Sequence, residues 1–171
     1  MEFTLNWDSQ NVKVELREIT QDSVRAICDL KVSKEQEQFV APNSVSIAEA
    51  HFSSEAWFRA VYAGETPVGF IMLAKVPREE RASLGTHFLW RFMVDERFQG
   101  RGYGRRALES VIQCLREKAN ANALYTSCRE GKGSPKGFYK KMGFKETGKK
   151  LNNGEQILRL LILEKGTDCT R

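Results

Sequence analysis

The hydrophobic positions change their period several times along the chain, and each change marks an element. Val12, Val14 and Leu16 alternate with polar residues, which predicts a strand over 12–18. Thr20 then stands where an N-cap is expected, ahead of Val24, Ile27, Cys28 and Leu30 at helical spacing. Polar residues 34–43, with Pro42 near their end, predict a loop, and 46–52 a short second helix. Two runs rich in apolar, aromatic and β-branched residues, 56–63 and 68–76, flank the turn sequence Gly64-Glu65-Thr66-Pro67 and read as a hairpin. Residues 78–83 form a charged loop in this reading. Residues 86–94 are almost continuously hydrophobic, as in a central strand buried on both faces.

Beyond a glycine-rich stretch, Ala107, Leu108, Val111, Ile112 and Leu115 draw a helical stripe, so a helix is predicted over 103–119. A short strand follows over 123–128, then a loop at 131–135. A short helix over 136–142 is stopped by Gly143. Strands over 144–151 and 156–164 are joined by Asn152-Asn153-Gly154, a hairpin turn signal. Residues 166–171 read as a frayed tail. The order β-α-α-β-β-β-α-β-α-β-β describes one α/β domain over 1–171, with a mixed sheet of α+β character.

Composition narrows the class. A chain of 171 residues, 41% hydrophobic and 29% charged, fits one soluble globular domain. No apolar run approaches the roughly 18–20 residues of a membrane helix. No signal-peptide pattern opens the chain, so no membrane association and a cytoplasmic location are expected. Cys28, Cys114, Cys128 and Cys169 form no C-x-x-C pair, so they read as reduced thiols, two or three of them in the core, and no metal is expected. The net charge of +5 suits a phosphate-bearing partner. Arg97, Arg101, Arg105 and Arg106 crowd around the glycines, which favours a local phosphate site over a nucleic-acid stripe.

That local site is Gln99-Gly100-Arg101-Gly102-Tyr103-Gly104, placed between a strand and a helix. Its glycines permit sharp turning and close approach to a ligand. The first amides of the helix lack internal partners, and the helix dipole adds positive potential. A pyrophosphate matches such a site. The P-loop ending Lys-Ser/Thr is missing, and glycines spaced evenly by two do not make a dinucleotide fingerprint.

The pattern Gln99-x-x-Gly102-x-Gly104, five residues after Val94, resembles the acetyl-CoA loop of the GNAT family of N-acetyltransferases. Phe138-Tyr139-Lys140-Lys141-Met142-Gly143-Phe144 resembles that family's tyrosine-bearing helix, in the expected order. Leu89-Trp90-Arg91-Phe92-Met93-Val94 and Gly133-Ser134-Pro135 are similar to the spermine/spermidine acetyltransferases of the family. The resemblance covers residues 12 to 165 and implies the acyl-CoA N-acyltransferase fold and acetyl-CoA as co-substrate. It implies cofactor contacts at Phe92, Met93, Val94, Gln99, Gly100, Arg101, Gly102, Tyr103, Gly104, Ser134, Lys136 and Lys141. An Asn that many members carry before the tyrosine helix is replaced here by residues 131–136.

Acetyl transfer needs an oriented thioester, a neutral amine, a donor to the developing oxyanion and an acid for the thiolate. The resemblance implies that the strand ending at Val94 splays from its neighbour, with a backbone N–H near Met93 polarising the carbonyl and Tyr139 as the acid. Phe138 packs. Glu35, Glu37, Glu49 and Glu55 are candidates for base or cation binder, with Glu35 and Glu37 ranked first as substrate-binding residues, and His87 is a further base. Trp90 and Trp57 could line a polyamine channel by cation–π contact. The expected reaction moves an acetyl group to a primary amine of spermine or spermidine. Alternatives are another amine (an aminoglycoside or a protein N-terminus), a silent acyl-CoA sensor, or a nucleic-acid module, for which no recognition motif exists. Related enzymes often form dimers, so a homodimer is allowed.

Overall fold

The computed structural model describes residues 12–119 and 121–162. Cys169 and the 166–171 tail lie outside the described residues. Seven strands form one sheet in the order β1-β2-β3-β4-β5-β7-β6. Strands β1 (Val14–Arg17), β2 (Ala56–Ala63), β3 (Thr66–Lys75) and β4 (His87–Val94) pair antiparallel in succession. Strand β5 (Ala123–Cys128) runs parallel to β4. Strand β7 (Gln156–Leu161) lies antiparallel to β5, and β6 (Lys145–Lys150) forms the outer edge. That edge is lysine-rich and mostly exposed, which discourages further strand addition.

Helices α1 (Val24–Cys28) and α2 (Asn43–His51) cover one face of the sheet, and α4 (Tyr103–Lys118) and α5 (Lys136–Lys141) the other. Strand β3 feeds both cores. Val68, Ile71 and Leu73 point to the α4 side, and Phe70 and Met72 to the α1–α2 side. The stripe expected on α4 is the buried one, with Ala107, Leu108 and Val111 almost fully enclosed. Burying Leu108 and Val111 contributes about 1.5–3 kcal/mol each. No helix among the described residues is long and apolar enough to cross a membrane.

Several boundaries differ from the sequence reading. Residues 78–83 are not a loop: a turn of 3-10 helix (Arg78–Glu80) runs into α3 (Arg81–Leu84), adding a helix to the expected order. Arg81 Nε donates to the Val76 carbonyl at 2.9 Å and ties this segment down. Pro67 lies inside β3 rather than in the turn, beside a register break where the ladder needs no N–H from it. Thr20 opens the turn before α1, but Ser23 is the N-cap, and its Oγ accepts from the Thr20 N–H at 2.9 Å. Among the described cysteines only Cys128 is buried, Cys28 being half-buried and Cys114 exposed. Strand β4 is central, yet only Leu89 and Met93 are buried, because a cleft opens along it.

Candidate active site

Parallel pairing between β4 and β5 consists of two residue pairs, Phe88 with Tyr125 and Leu89 with Thr126. From there to Val94 the strands part. At the same point β4 carries an irregularity: Met72 opposes Arg91 and Leu73 opposes Leu89, leaving Trp90 as the extra residue. A bulge of this kind bends a strand and ends pairing locally. Asp95 N–H donates to the Val68 carbonyl of β3 at 2.8 Å. Main-chain groups alternate in direction along a strand. Met93 therefore points its amide toward β3, and the amides facing the gap are those of Phe92 and Val94. The donor expected near Met93 narrows to its two neighbours, Phe92 and Val94.

The gap broadens into a cleft of about 470 Å³. Its lining brings together Phe92, Met93, Val94, Gln99, Gly100, Gly102, Tyr103, Gly104, Ser134, Tyr139, Lys141 and Trp90, all expected from the sequence. Gly100 and Gly102 have φ of 75° and 78°, a region costly for residues with a Cβ, and Gly102 caps α4 in left-handed conformation. The free amides at the start of a 16-residue helix thus open onto the cleft. Gly104 serves close approach: a Cβ there would stand 3.3 Å from Val94 Cγ2 and 3.6 Å from Phe92 Cζ. These features fit the pyrophosphate and extended arm of a coenzyme A thioester.

Asp95 holds the loop in shape. It is 2% exposed, accepts from the Lys31 N–H at 2.9 Å, and receives two bonds from the Arg97 guanidinium. It also accepts from the Arg97 N–H at 3.0 Å. Burial opposes its ionisation, but the bonds from Arg97 and from the Lys31 and Arg97 amides prevail and hold its pKa below the ordinary value. Gln99 Nε2 donates to the Val94 carbonyl at 2.9 Å. The same nitrogen donates to Gln36 Oε1 at 2.9 Å, and Gln36 Nε2 to Gln99 Oε1 at 3.3 Å. This amide pair ties the segment after α1 to the glycine loop.

Tyr139 is 5% exposed at the base of the cleft. Burial pushes its phenol well above the usual tyrosine value, while a hydrogen bond with Thr126 acts in the opposite sense. Thr126 Oγ1 in turn donates to the Leu89 carbonyl at 3.1 Å, at the last β4–β5 pair. Phe138 packs between Phe92 and Tyr139, with centroids 5.8 and 5.6 Å away. Ser134 Oγ is engaged within its own loop, donating to the Arg129 carbonyl and accepting from the Lys136 N–H.

Other expected residues lie elsewhere. Lys136 is outside the cleft lining because Glu130, Glu146 and Gln156 hold its ammonium behind α5. Arg101 is also outside it, stacked over Phe98 at 5.8 Å. Arg105 lines the cleft and pairs with Glu109, whereas Arg106 donates to the Val12 carbonyl at 2.6 Å. Glu35 and Glu37 are exposed and outside the lining, with Glu35 bound to Lys132 at 2.6 Å. Gln36, between them, does line the cleft, as do Val32, Phe39 and Val40 of the same segment. Glu49 pairs with Arg91, which lines the cleft. Glu55, His87 and Trp57 line a separate cavity of about 320 Å³. Burial, then Lys75 and Arg81, lower the pKa of His87. No aspartate, glutamate or histidine lines the main cleft among the described residues.

The sequence reading missed Asp95, Gln36, Thr126 and Ser127. Asp95 carried a signal, a capping residue at the strand end followed by a short turn. The other three enter through tertiary proximity, which no local period records.

Comparison with known proteins agrees with this geometry. The model of the acetyltransferase (GNAT) family matches residues 15–144. A spermine/spermidine N(1)-acetyltransferase of Bacillus subtilis is 30% identical over 151 residues, covering 86% of this chain and 97% of that protein. Among solved structures, the PaiA N-acetyltransferase of Thermoplasma acidophilum in complex with coenzyme A superposes with a TM-score of 0.63 at 13% identity, covering 87% of this chain and 99% of that one. The ribosomal-protein alanine N-acetyltransferase of Escherichia coli gives 0.60 at 20% identity, covering 93% and 100%. A splayed central strand, a glycine loop at a helix start and a family match over most of the chain lead to one assignment: the protein belongs to the GNAT family and is an acetyl-CoA-dependent N-acetyltransferase.

Proposed function

We propose that the protein acetylates a primary amine of a small polyamine, spermine or spermidine, by direct attack of the amine on the bound thioester. Acetyl-CoA supplies the acetyl group in activated form. The amides at the start of α4, with Arg105 nearby, hold the pyrophosphate. The gap-facing amides of Phe92 and Val94 bind the arm as an added strand would, and one of them stabilises charge on the carbonyl oxygen. Tyr139 donates its proton toward the departing sulfur. Its raised pKa keeps the phenol protonated throughout the working range, so a donor is always present.

One observation carries this reading: the β4–β5 ladder ends after two pairs, directly beside the Tyr139–Thr126 contact. The slot so formed has main-chain donors on one edge and a buried phenol at its base. The polyamine rests on the relative that is 30% identical and is matched over nearly its whole length. The charge of the cleft favours a second reading. Arg91, Arg105 and Lys141 are the charged residues of its lining, which suits a less cationic amine such as a protein N-terminus.

Steady-state release of CoA, with spermine, spermidine and a peptide N-terminus as acceptors, separates the two. The polyamine reading expects kcat/KM for a polyamine well above that for the peptide, and the reverse order overturns it. Tyr139→Phe is expected to lower kcat about 100-fold or more with unchanged acetyl-CoA affinity. Wild-type kcat in that variant would remove Tyr139 as the acid.

A further inference from the structure

A primary amine with a pKa near 10.4 is neutral in only about one part per thousand at pH 7.4. The nitrogen must therefore lose a proton in the cleft, yet no carboxylate or imidazole lines it among the described residues. Glu49 and Glu109 reach the lining only through the guanidiniums of Arg91 and Arg105, which cannot relay a proton, whereas Glu155 reaches it through a hydroxyl. Ser127 lines the cleft on β5, one residue past the last β4–β5 pair. Its Oγ donates to Glu155 Oε2 at 2.5 Å.

Side chains alternate across β5. Thr126 faces Tyr139 on the α4–α5 side, so Ser127 faces the other side, where Trp90 and Met93 pack with α1 and α2. Glu155 sits on the turn between β6 and β7. Its backbone is fixed by a bond from its own N–H to Asn153 Oδ1 at 3.1 Å and by the Leu151 N–H donating to its carbonyl at 2.9 Å. Its side chain is 27% exposed, which leaves a path to solvent behind the serine.

We propose that Ser127 and Glu155 form the proton route for the acceptor amine, Ser127 Oγ touching the nitrogen and Glu155 receiving the proton behind it. The inference rests on the acetyl-transfer reading and adds its missing base. As an N–H proton of the ammonium passes to Ser127 Oγ, the Oγ proton passes to Glu155 and on to solvent. The freed lone pair forms the C–N bond and the C–S bond breaks. The second proton leaves the nitrogen by the same route, and Tyr139 delivers one to the thiolate and is reprotonated from solvent. The sum is ammonium plus thioester giving amide, thiol and one proton. The arrangement places proton acceptor and proton donor on opposite faces of the sheet, with the thioester slot between them.

The groups facing Glu155 are Arg129, at 3.8 Å from Oε1, and Cys128 on β5. Lys136 of α5 also acts on the Cys128 thiol and is engaged by Glu130 and Glu146.

The test is the pH profile of kcat/KM for Glu155→Gln and Ser127→Ala, on whichever of spermine, spermidine or the peptide amine the wild type uses best. Both variants are expected to lose about 50-fold at pH 7. The deficit should shrink to a few-fold near pH 10, where the free amine prevails, with unchanged acetyl-CoA Kd and Tm. A deficit constant with pH, or no deficit, overturns the route, and so does an effect in Glu155→Gln that Ser127→Ala lacks. A wild type that prefers the peptide amine overturns the polyamine while leaving the proton comparison intact. Should no amine in the panel react, hydrolysis of bound acetyl-CoA gives the same comparison with water as nucleophile, and equal rates in wild type and Glu155→Gln overturn the proposal.

Discussion

Beyond Leu89, the β4 side of the gap is edged by main chain. The gap-facing amides are those of Phe92 and Val94, and the Val94 carbonyl is held by Gln99. The β5 side is edged by hydroxyls, those of Thr126 and Ser127, with the Tyr139 phenol against the first. The difference assigns labour. In the proposed mechanism main chain recognises the extended arm whatever the local side chains are, so that edge chiefly binds, one of its amides also facing the carbonyl oxygen. Hydroxyls backed by an acidic or phenolic partner move protons in that mechanism, so the other edge carries the proton transfers. Substitutions on β5 should then act on kcat, and those on the β4 side on affinity for acetyl-CoA.

The largest expected effect is on the reacting side, where Tyr139→Phe lowers kcat about 100-fold or more while the affinity measured by calorimetry is unchanged. A matching loss of affinity would erase the division between the edges. The binding side gives the next effect. In Gly104→Val, a Cβ already 3.3 Å from Val94 would carry methyl groups into the slot. The Kd for acetyl-CoA should rise about 30-fold, equivalent to about 2 kcal/mol, with kcat at saturation within a few-fold of wild type. Retained affinity would mean that the arm does not pass this wall.

Asp95→Asn sharpens the comparison through stability. Asn keeps the size of the side chain but loses the charge that two Arg97 bonds and two amides satisfy. A cost of about 1–3 kcal/mol is expected by denaturant titration at pH 7. The folded-state pKa of Asp95 is lowered from its ordinary 3.8, so its contribution is complete above that value and is lost as pH falls through the lower folded value. Wild type and Asp95→Asn should therefore converge in stability on acidification. A gap that does not narrow at all as pH falls below 3.8 would show that charge is not what Asp95 contributes.

The β4 side was the more legible in the sequence, for a physical reason. Its strand, glycine loop and helix are consecutive, so Gln99, Gly102 and Gly104 carry their spacing in the chain itself. The hydrophobic run of β4 was read as buried on both faces, because a cleft wall and a core wall have the same composition. The β5 side is assembled from distant pieces. Ser127 meets Glu155 because β7 inserts between β5 and β6, and the chain order only suggests that β6 and β7 are neighbours. Glu35 illustrates the converse: it lies in the right segment, but its neighbour Gln36 turns into the cleft while Glu35 turns to Lys132.

The smallest effect belongs to Gln36→Ala, and it tests whether the two sides are coupled. Gln36 and Gln99 exchange amide bonds across the cleft mouth, while Gln99 also holds the Val94 carbonyl. Both side chains are accessible to water, so the pair contributes at most about 0.5–1.5 kcal/mol, and its loss leaves the Gln99–Val94 bond in place. Affinity for acetyl-CoA should fall no more than a few-fold in Gln36→Ala. Gln99→Ala, which breaks both contacts, should fall further. If Gln36→Ala instead changed kcat and left affinity alone, the segment after α1 would belong functionally to the reacting side. Its contacts point both ways, to Gln99 through Gln36 and to the loop before α5 through Glu35 and Lys132. A dominant effect on affinity is expected because the amide pair ends on the residue that shapes the binding edge, whereas the Glu35–Lys132 bridge is exposed and contributes little.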